Sequence, residues 1–171
     1  MGKISFPEPI NQIHKCNTFS SGEKVLDDWL KERAIKNDLN DASRTFIVHI
    51  NLEVKGYYCL SMGSVNKEVA PGKIRRNMPD HIPVMVLGRL AVDNSCHKMG
   101  IGKGLLKDAV LRTIKVSVDV AVKALLVHSI SESATHFYKR FGFIESPLSN
   151  KTLLLPLKAL AGYDLEISKS G

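Results

Sequence analysis

Cysteine is scarce in this sequence. Cys16, Cys59 and Cys96 are its three thiols, an odd set with no C-x-x-C spacing and no histidines placed as paired zinc ligands. Neither a disulfide framework nor a structural zinc site is therefore open to it. They read as reduced thiols of a cytoplasmic protein, and no metal is expected. Long apolar runs are missing too: a bilayer span needs about 18 consecutive apolar residues, and no such stretch occurs. The segment MGKISFPEPINQ also lacks the apolar core of a secretion signal. The expectation is a soluble, cytoplasmic protein without membrane contact. There is no internal repeat and no low-complexity segment.

Acidic side chains thin out along the chain. Residues 1–40 hold six basic and six acidic groups, 41–83 six and four, 84–158 eleven and five, and the tail from 159 one and two. The net charge of +7 thus sits mainly in the C-terminal half. A basic surface favours polyanions, although solubility and binding of a phosphorylated cofactor account for it equally. The 171 residues, 44% of them hydrophobic, fit one domain over 1–171 with a substantial core.

Ser20-Ser21-Gly22-Glu23 has the form of a capping box, and Val25, Leu26, Trp29, Leu30 and Ala34 follow at helical spacing, predicting a helix over about 22–37. RTFIVHIN and GYYCLSMGSV predict a hairpin with its turn near Glu53 to Gly56. From Asn66 to Pro83 the chain is too broken by Pro71, Gly72, Pro79 and Pro83 for a regular element, and a loop of that length suggests a job. Val84 to Val92 reads as a strand covered on both faces, and about 100–118 as an amphipathic helix. A second buried strand follows over 121–130. Ser131 or Ser133 then caps a short helix through Arg140, and TLLLPL closes the sheet after a turn at Pro147. The unit 84–130 is a βαβ crossover, which places its two strands parallel in an α/β fold.

The crossover turns on HKMGIGKG, where a strand ends and a helix begins. Free N–H groups and the positive end of the helix dipole converge at such a place, which suits phosphate. Gly100, Gly102 and Gly104 allow close approach, and Lys98 and Lys103 add charge. A Walker A loop does not fit, because His97 falls on its first glycine and Gly104 on its Ser/Thr position. A dinucleotide fingerprint does not fit either, since the third glycine comes one residue early and no acidic residue ends a strand about 20 residues later. An anion-binding turn and a turn kept for packing both remain open.

The strand, the [QR]-x-x-G-x-[GA] turn and the helix resemble the acetyl-coenzyme A motif of GNAT N-acetyltransferases. FSSGEKVLDDWLKERA, ASRTFIVHI, GYYCLSMGSV, RRNMPDHIPVMVLGRLAVD, ALLVHSIS and HFYKRFGF, in that order, are similar to the GNAT toxins of bacterial type II toxin-antitoxin modules (the TacT, KacT and AtaT group) over nearly the whole chain. The resemblance implies a GNAT fold, a mixed central β-sheet flanked by helices whose splayed parallel strands bind acetyl-CoA. It implies transfer of acetyl from acetyl-CoA to the α-amine of aminoacyl-tRNA, blocking translation. It also implies a homodimer, a ribbon-helix-helix antitoxin, and operator DNA contacted only through the antitoxin complex. For the coenzyme it points to Leu90, Ala91 and Val92 on the strand, to His97, Lys98, Met99, Gly100, Ile101, Gly102 and Lys103 in the turn, and to Ser131, Phe137 and Arg140. His97 stands where the motif carries Gln or Arg, and Met99 where a basic or small residue is common. Tyr138 matches the tyrosine beside the coenzyme sulfur.

Acetyl transfer needs a neutral amine, a stabilised oxyanion and a proton for the departing thiolate. The Tyr138 phenol is protonated at pH 7 and suits the last task; packing with Phe137 and Phe141 is the alternative. No strong base is evident. A free α-amine titrates near pH 8, an ester-linked one lower, so water suffices to take its proton. His49 and His128 lie on predicted strands, and His136, two positions before Tyr138, is a secondary candidate. Lys73, Arg75 and Arg76 form a basic cluster suited to the tRNA acceptor stem, which Lys31, Arg33, Lys36 and Arg44 would extend; an ordinary solvated loop is the alternative. Acetylation of protein N-termini or small amines is a second enzymatic reading, disfavoured because residues 84–158 hold only Asp93, Asp108, Asp119, Glu132 and Glu145. A non-enzymatic reading is a DNA-binding corepressor acting with its antitoxin.

Overall fold

The computed structural model describes residues 2–160; the C-terminal end of the domain expected over 1–171, with its tail charges from 161 onward, lies outside the described residues. The elements are β1 (Glu8–Pro9), α1 (Lys24–Glu32), α2 (Ala34–Leu39), β2 (Arg44–Ile50), β3 (Glu53–Asn66), α3 (Gly72–Arg75), β4 (His81–Val92), α4 (Ile101–Ser117), β5 (Ala124–His128), α5 (Glu132–Arg140), β6 (Ile144–Ser146) and β7 (Ser149–Pro156). The strands form one mixed sheet in the order β1-β2-β3-β4-β5-β7-β6. The chain divides into two compact units, Met1–Ser61 with Leu87–Val110 and Met62–Val86 with Leu111–Gly171.

In the first unit the predicted helix over 22–37 is two helices, broken at Arg33, whose φ of −120° leaves the helical range. The break lets Ala34 and Ile35 reach the same core as Leu26 and Leu30, which also holds Phe19, Ile47, Val54 and Tyr57. The Ser20–Glu23 capping box does not form. Instead the Ser21 hydroxyl accepts from Glu23 N at 3.2 Å and donates to Asp27 Oδ1 at 2.6 Å. The hairpin turn lies at Asn51 and Leu52, with φ of 49° and 69°, two residues earlier than expected. Such a pair of left-handed residues matches the twist of the flanking strands, so Glu53 to Gly56 is free to pair as strand. β1 is too short to leave a periodic signal in the sequence, and it pairs antiparallel with β2.

In the second unit the stretch 66–83 is more ordered than its prolines suggested. A 3-10 turn over Lys67–Val69 leads to α3, and fully buried Ala70 and Ile74 pin both to the core beneath. β4 already begins at His81 and passes through Pro83, whose carbonyl accepts the N–H of Lys123 at 2.9 Å. That bond joins β4 and its neighbour β5 where both begin, so the two run the same way. Ser131 caps α5, its hydroxyl accepting from Ala134 N at 3.1 Å. β7 does not close the sheet, because β6 pairs along its far side. Three residues are too few for β6 to leave an alternating pattern.

Candidate functional site

The glycine turn belongs wholly to the first unit. Gly104 N donates to Gly100 O at 3.0 Å, the first bond of α4, so the N–H groups of Ile101, Gly102 and Lys103 have no acceptor within the helix. Gly100 sits at φ +75°, and a Cβ there would meet nothing within 4 Å. Glycine at this position is thus explained by conformation and by an open approach, not by packing against a neighbour. Lys98 also takes a left-handed φ of 66°. Residues 97–100 are all exposed, Met99 with 55% of its surface. An exposed helix N-terminus with unpaired N–H groups and two adjacent lysines fits a pyrophosphate.

The turn is tied to the strand before it. His97 Nε2 lies 2.9 Å from the carbonyl oxygen of Val92, so the ring is engaged with backbone. Asp93, which sequence reasoning did not single out, is the stronger anchor. Its buried carboxylate accepts from Ser95 N at 2.9 Å, Ser95 Oγ at 2.6 Å and Ser20 N at 2.9 Å. Burial pushes its pKa up, but the hydrogen bonds from Ser95 and Ser20 and the charge of Lys55 outweigh that and leave it below the usual carboxylate value. The sequence signal was present in the D-x-S spacing, the form of an Asx turn. Leu90, Ala91 and Val92 complete this part, Ala91 buried in the core and its neighbours half-buried.

Tyr138 lies in the second unit, on α5. Its ring, 5% exposed, packs edge-on against Phe137 at 5.2 Å and Phe143 at 5.3 Å, so Phe143 takes the place in its packing that Phe141 was expected to hold. Ser131 stands at the N-terminus of the same helix and Arg140, exposed, at its end. His136 is exposed on α5, and His128 Nδ1 lies 3.1 Å from Thr152 Oγ1.

The basic residues fall into two sets. Lys31, Arg33 and Lys36 are exposed along α1 and α2 of the first unit. Arg44 is already engaged, with Nη2 2.6 Å from Asp41 Oδ1 and Nη1 2.7 Å from the Asp38 carbonyl. Lys73, Arg75 and Arg76 belong to the second unit and stand exposed on α3 and its C-cap, not on an irregular loop as expected. Buried Ile74 between them fixes that short helix.

Among the described residues one group of three, Glu8, His14 and His49, brings possible ligand atoms within 4.8 Å of one another. The hydrogen bonds argue for a clamp. His14 Nδ1 accepts from Asn11 N and His49 Nδ1 from Leu52 N. Each neutral ring therefore carries its proton on Nε2, and both Nε2 atoms face Glu8 Oε1, at 2.7 and 3.2 Å. The bond from His14, with the weaker one from His49, holds the Glu8 carboxyl below its usual value despite partial burial. The lone pairs a metal would need are already spent, and β1 is held to β2.

Comparison with known proteins agrees with this geometry. The Acetyltransferase (GNAT) domain family matches residues 42–145. The tRNA-acetylating toxin of Mycobacterium tuberculosis is 40% identical over 158 residues, 92% of this chain and 95% of that protein. The structure of AtaT complexed with acetyl-methionyl-tRNAfMet superposes with a TM-score of 0.86 at 27% identity, covering 92% of this chain and 97% of that one. A tyrosine-to-phenylalanine mutant of AtaT, bound to the C-terminus of the antitoxin AtaR and acetyl-CoA, gives 0.79 at 25% identity over 92% and 96%. With the family match covering the β2-to-α5 region and a relative this similar along almost its whole length, the chain belongs to the GNAT acetyltransferases, enzymes whose acetyl donor is acetyl-CoA.

Proposed function

We propose that this protein is the acetyltransferase toxin of a toxin-antitoxin module, moving acetyl from acetyl-CoA to the α-amine of aminoacyl-tRNA and so blocking translation. The observation that carries the reading is its 40% identity, over 92% of the chain, to a tRNA-acetylating toxin. The open backbone cradle at Gly100 supports the donor half of the reaction.

In this reading the N–H groups of Ile101, Gly102 and Lys103 hold the pyrophosphate, with Lys98 and Lys103 supplying charge. The backbone of Leu90 to Val92 holds the pantetheine, and Ser131, Phe137 and Arg140 border it. His97 contributes through its bond to Val92 and Met99 through its backbone. The neutral α-amine attacks the thioester carbon. A C–N bond forms, the C–S bond breaks, Tyr138 gives its phenolic proton to the sulfur, and water takes the proton of the ammonium. Lys73, Arg75 and Arg76, with Lys31, Arg33 and Lys36, meet the phosphates of the acceptor stem. The protein acts in the cytoplasm as one GNAT domain and as a homodimer. A ribbon-helix-helix antitoxin silences it, and it reaches operator DNA only in that complex.

Labelled acetyl-CoA incubated with charged and with deacylated tRNA tests the reading. Label is expected on charged tRNA alone, released by mild base together with the amino acid. Label on protein N-termini or on free amines, with none on charged tRNA, would replace this function with the second enzymatic one.

A further inference from the structure

We infer that Arg89, seated on Trp29, is an acceptor-side anion site that takes a phosphodiester from the 3′ end of the tRNA; this rests on the reading of the chain as a tRNA acetyltransferase. Arg89 lies on β4, one residue before the Leu90 to Val92 segment. Its Cζ stands 4.8 Å from the Trp29 ring centroid. Trp29 is itself held: it stacks on Tyr57 at 5.9 Å with 9° between the planes, and Tyr57, fully buried, donates its hydroxyl to Leu26 O at 2.6 Å. Phe19 closes on Tyr57 edge-on at 5.7 Å. The guanidinium is thus placed by a rigid aromatic bed and not by a partner charge.

No carboxylate among the described residues forms an ion pair with it, and Arg89 Nε is buried without a hydrogen-bond partner. Arg89 acts on the charge state of Tyr57 and Cys59. Burial keeps both protonated, pushing Cys59 up to about 11 and Tyr57 further, although the Arg89 charge pulls each down. Asp27, a buried residue of α1, spends its Oδ1 on the N–H and hydroxyl of Ser21. An N–H desolvated without an acceptor is costly, and a ring face compensates a cation less well than an anion does. The arrangement is complete once an anion arrives. A planar guanidinium fork matches phosphate in two-point geometry.

The coenzyme's own pyrophosphate is not that anion. Its turn begins at His97, whereas the extended strand from Arg89 to Val92 already covers about 10 Å. The acceptor is the other phosphate-bearing substrate, and its aminoacyl ester must reach the same strand.

The test compares two small acceptors, an aminoacyl-adenosine ester without phosphate and the same ester carried on cytidylyl-adenosine, with charged tRNA alongside. The wild-type protein is expected to favour the dinucleotide by roughly 10- to 100-fold in kcat/KM, the size of one charge-assisted hydrogen-bond pair. Arg89→Gln is expected to erase that preference while acetyl-CoA affinity, read by calorimetry, is unchanged. Arg89→Lys, a point charge in place of the fork, is expected to reduce the preference severalfold and carries the test if Arg89→Gln fails to fold. A folded Arg89→Gln protein that still prefers the dinucleotide overturns the inference. Lost acetyl-CoA affinity with the preference intact would assign Arg89 to the coenzyme instead. Wild-type transfer to charged tRNA with no dinucleotide preference would sink this inference alone; transfer to no tRNA-derived acceptor at all would sink the underlying reading with it.

Discussion

The carboxylate of Asp93 accepts the backbone N–H of Ser20 at 2.9 Å, across 73 positions of chain. Asn94 N returns the contact, donating to Ser20 O at 2.7 Å, and Asp93 N donates to Lys55 O at 2.8 Å. The end of β4 is thereby fastened to the segment that leads into α1 and to the hairpin strand β3. The Asp93 side chain and the backbone of Asp93 and Asn94 together hold three pieces of the first unit at the point where the glycine turn departs.

That role makes Asp93 a source of pH-dependent stability. Its pKa in the folded protein lies below the reference value of 3.8, so its contribution is fully present above that value and is lost as the pH falls through the folded pKa. Asp93→Asn should lower Tm by several degrees at pH 7, since it places an amide among donors that need a charged acceptor. The gap from wild type is expected to persist down to about pH 4 and to close below it. Thermal melts across this range check it, and a gap that stays constant into strong acid would show that the carboxylate charge is not what matters.

Much of the fold was legible because local chemistry and final structure agreed. The strands expected at 84–92 and 121–130, found at 81–92 and 124–128, the helix between them and the Ser131 cap all carry their own patterns. What escaped was set by contacts distant in sequence. The predicted capping box gives way because the Ser20 N–H is taken by Asp93, while the Ser21 hydroxyl bonds Glu23 N and Asp27. The prolines of 66–83 mask an ordered stretch that depends on Ala70 and Ile74 reaching the core. At the proposed site the glycine turn announces itself by residue type and spacing, and Tyr138 only through the family resemblance. Arg89 could not, since its lack of a partner is a property of the surroundings that only coordinates reveal.

His97 stands where the motif carries Gln or Arg, and its bond to Val92 O gives it a part in the proposed cradle. A carbonyl only accepts, so Nε2 carries hydrogen and the ring braces the turn against the strand. His97→Ala removes one solvent-facing hydrogen bond, worth about 0.5–1.5 kcal/mol. Acetyl-CoA affinity should fall roughly 3- to 10-fold with kcat at saturating acetyl-CoA nearly unchanged. Calorimetry and steady-state kinetics separate the two, and unaltered affinity would mean that the turn keeps its shape without the ring.

The basic residues should not contribute equally to tRNA binding. Removing a side chain that neutralises a phosphate lowers the slope of log affinity against log salt by about one. Lys73→Gln, Arg75→Gln and Arg76→Gln are expected to do so one at a time, with small effects on acetyl-CoA binding. Arg44→Gln should change the slope far less, because Asp41 and the Asp38 carbonyl already occupy that guanidinium. A salt titration of charged-tRNA binding ranks them, and an Arg44 effect as large as that of Arg75 would contradict the ranking.

The proposed role of Tyr138 separates binding from chemistry. Its ring is packed by Phe137 and Phe143, and phenylalanine preserves those contacts, so Tyr138→Phe should fold and hold acetyl-CoA as the wild type does. On the proposed mechanism the proton for the departing thiolate is lost with the hydroxyl, a contribution of roughly 10²- to 10⁴-fold for a placed general acid. Transfer to charged tRNA should fall by that factor in kcat while KM for either substrate moves little. The same variant with a thioester whose thiol is more acidic should recover much of the rate, because a better leaving group needs less proton donation. Turnover unchanged with acetyl-CoA, or no recovery with the activated donor, would make Tyr138 a packing residue and leave the thiolate to be protonated by water.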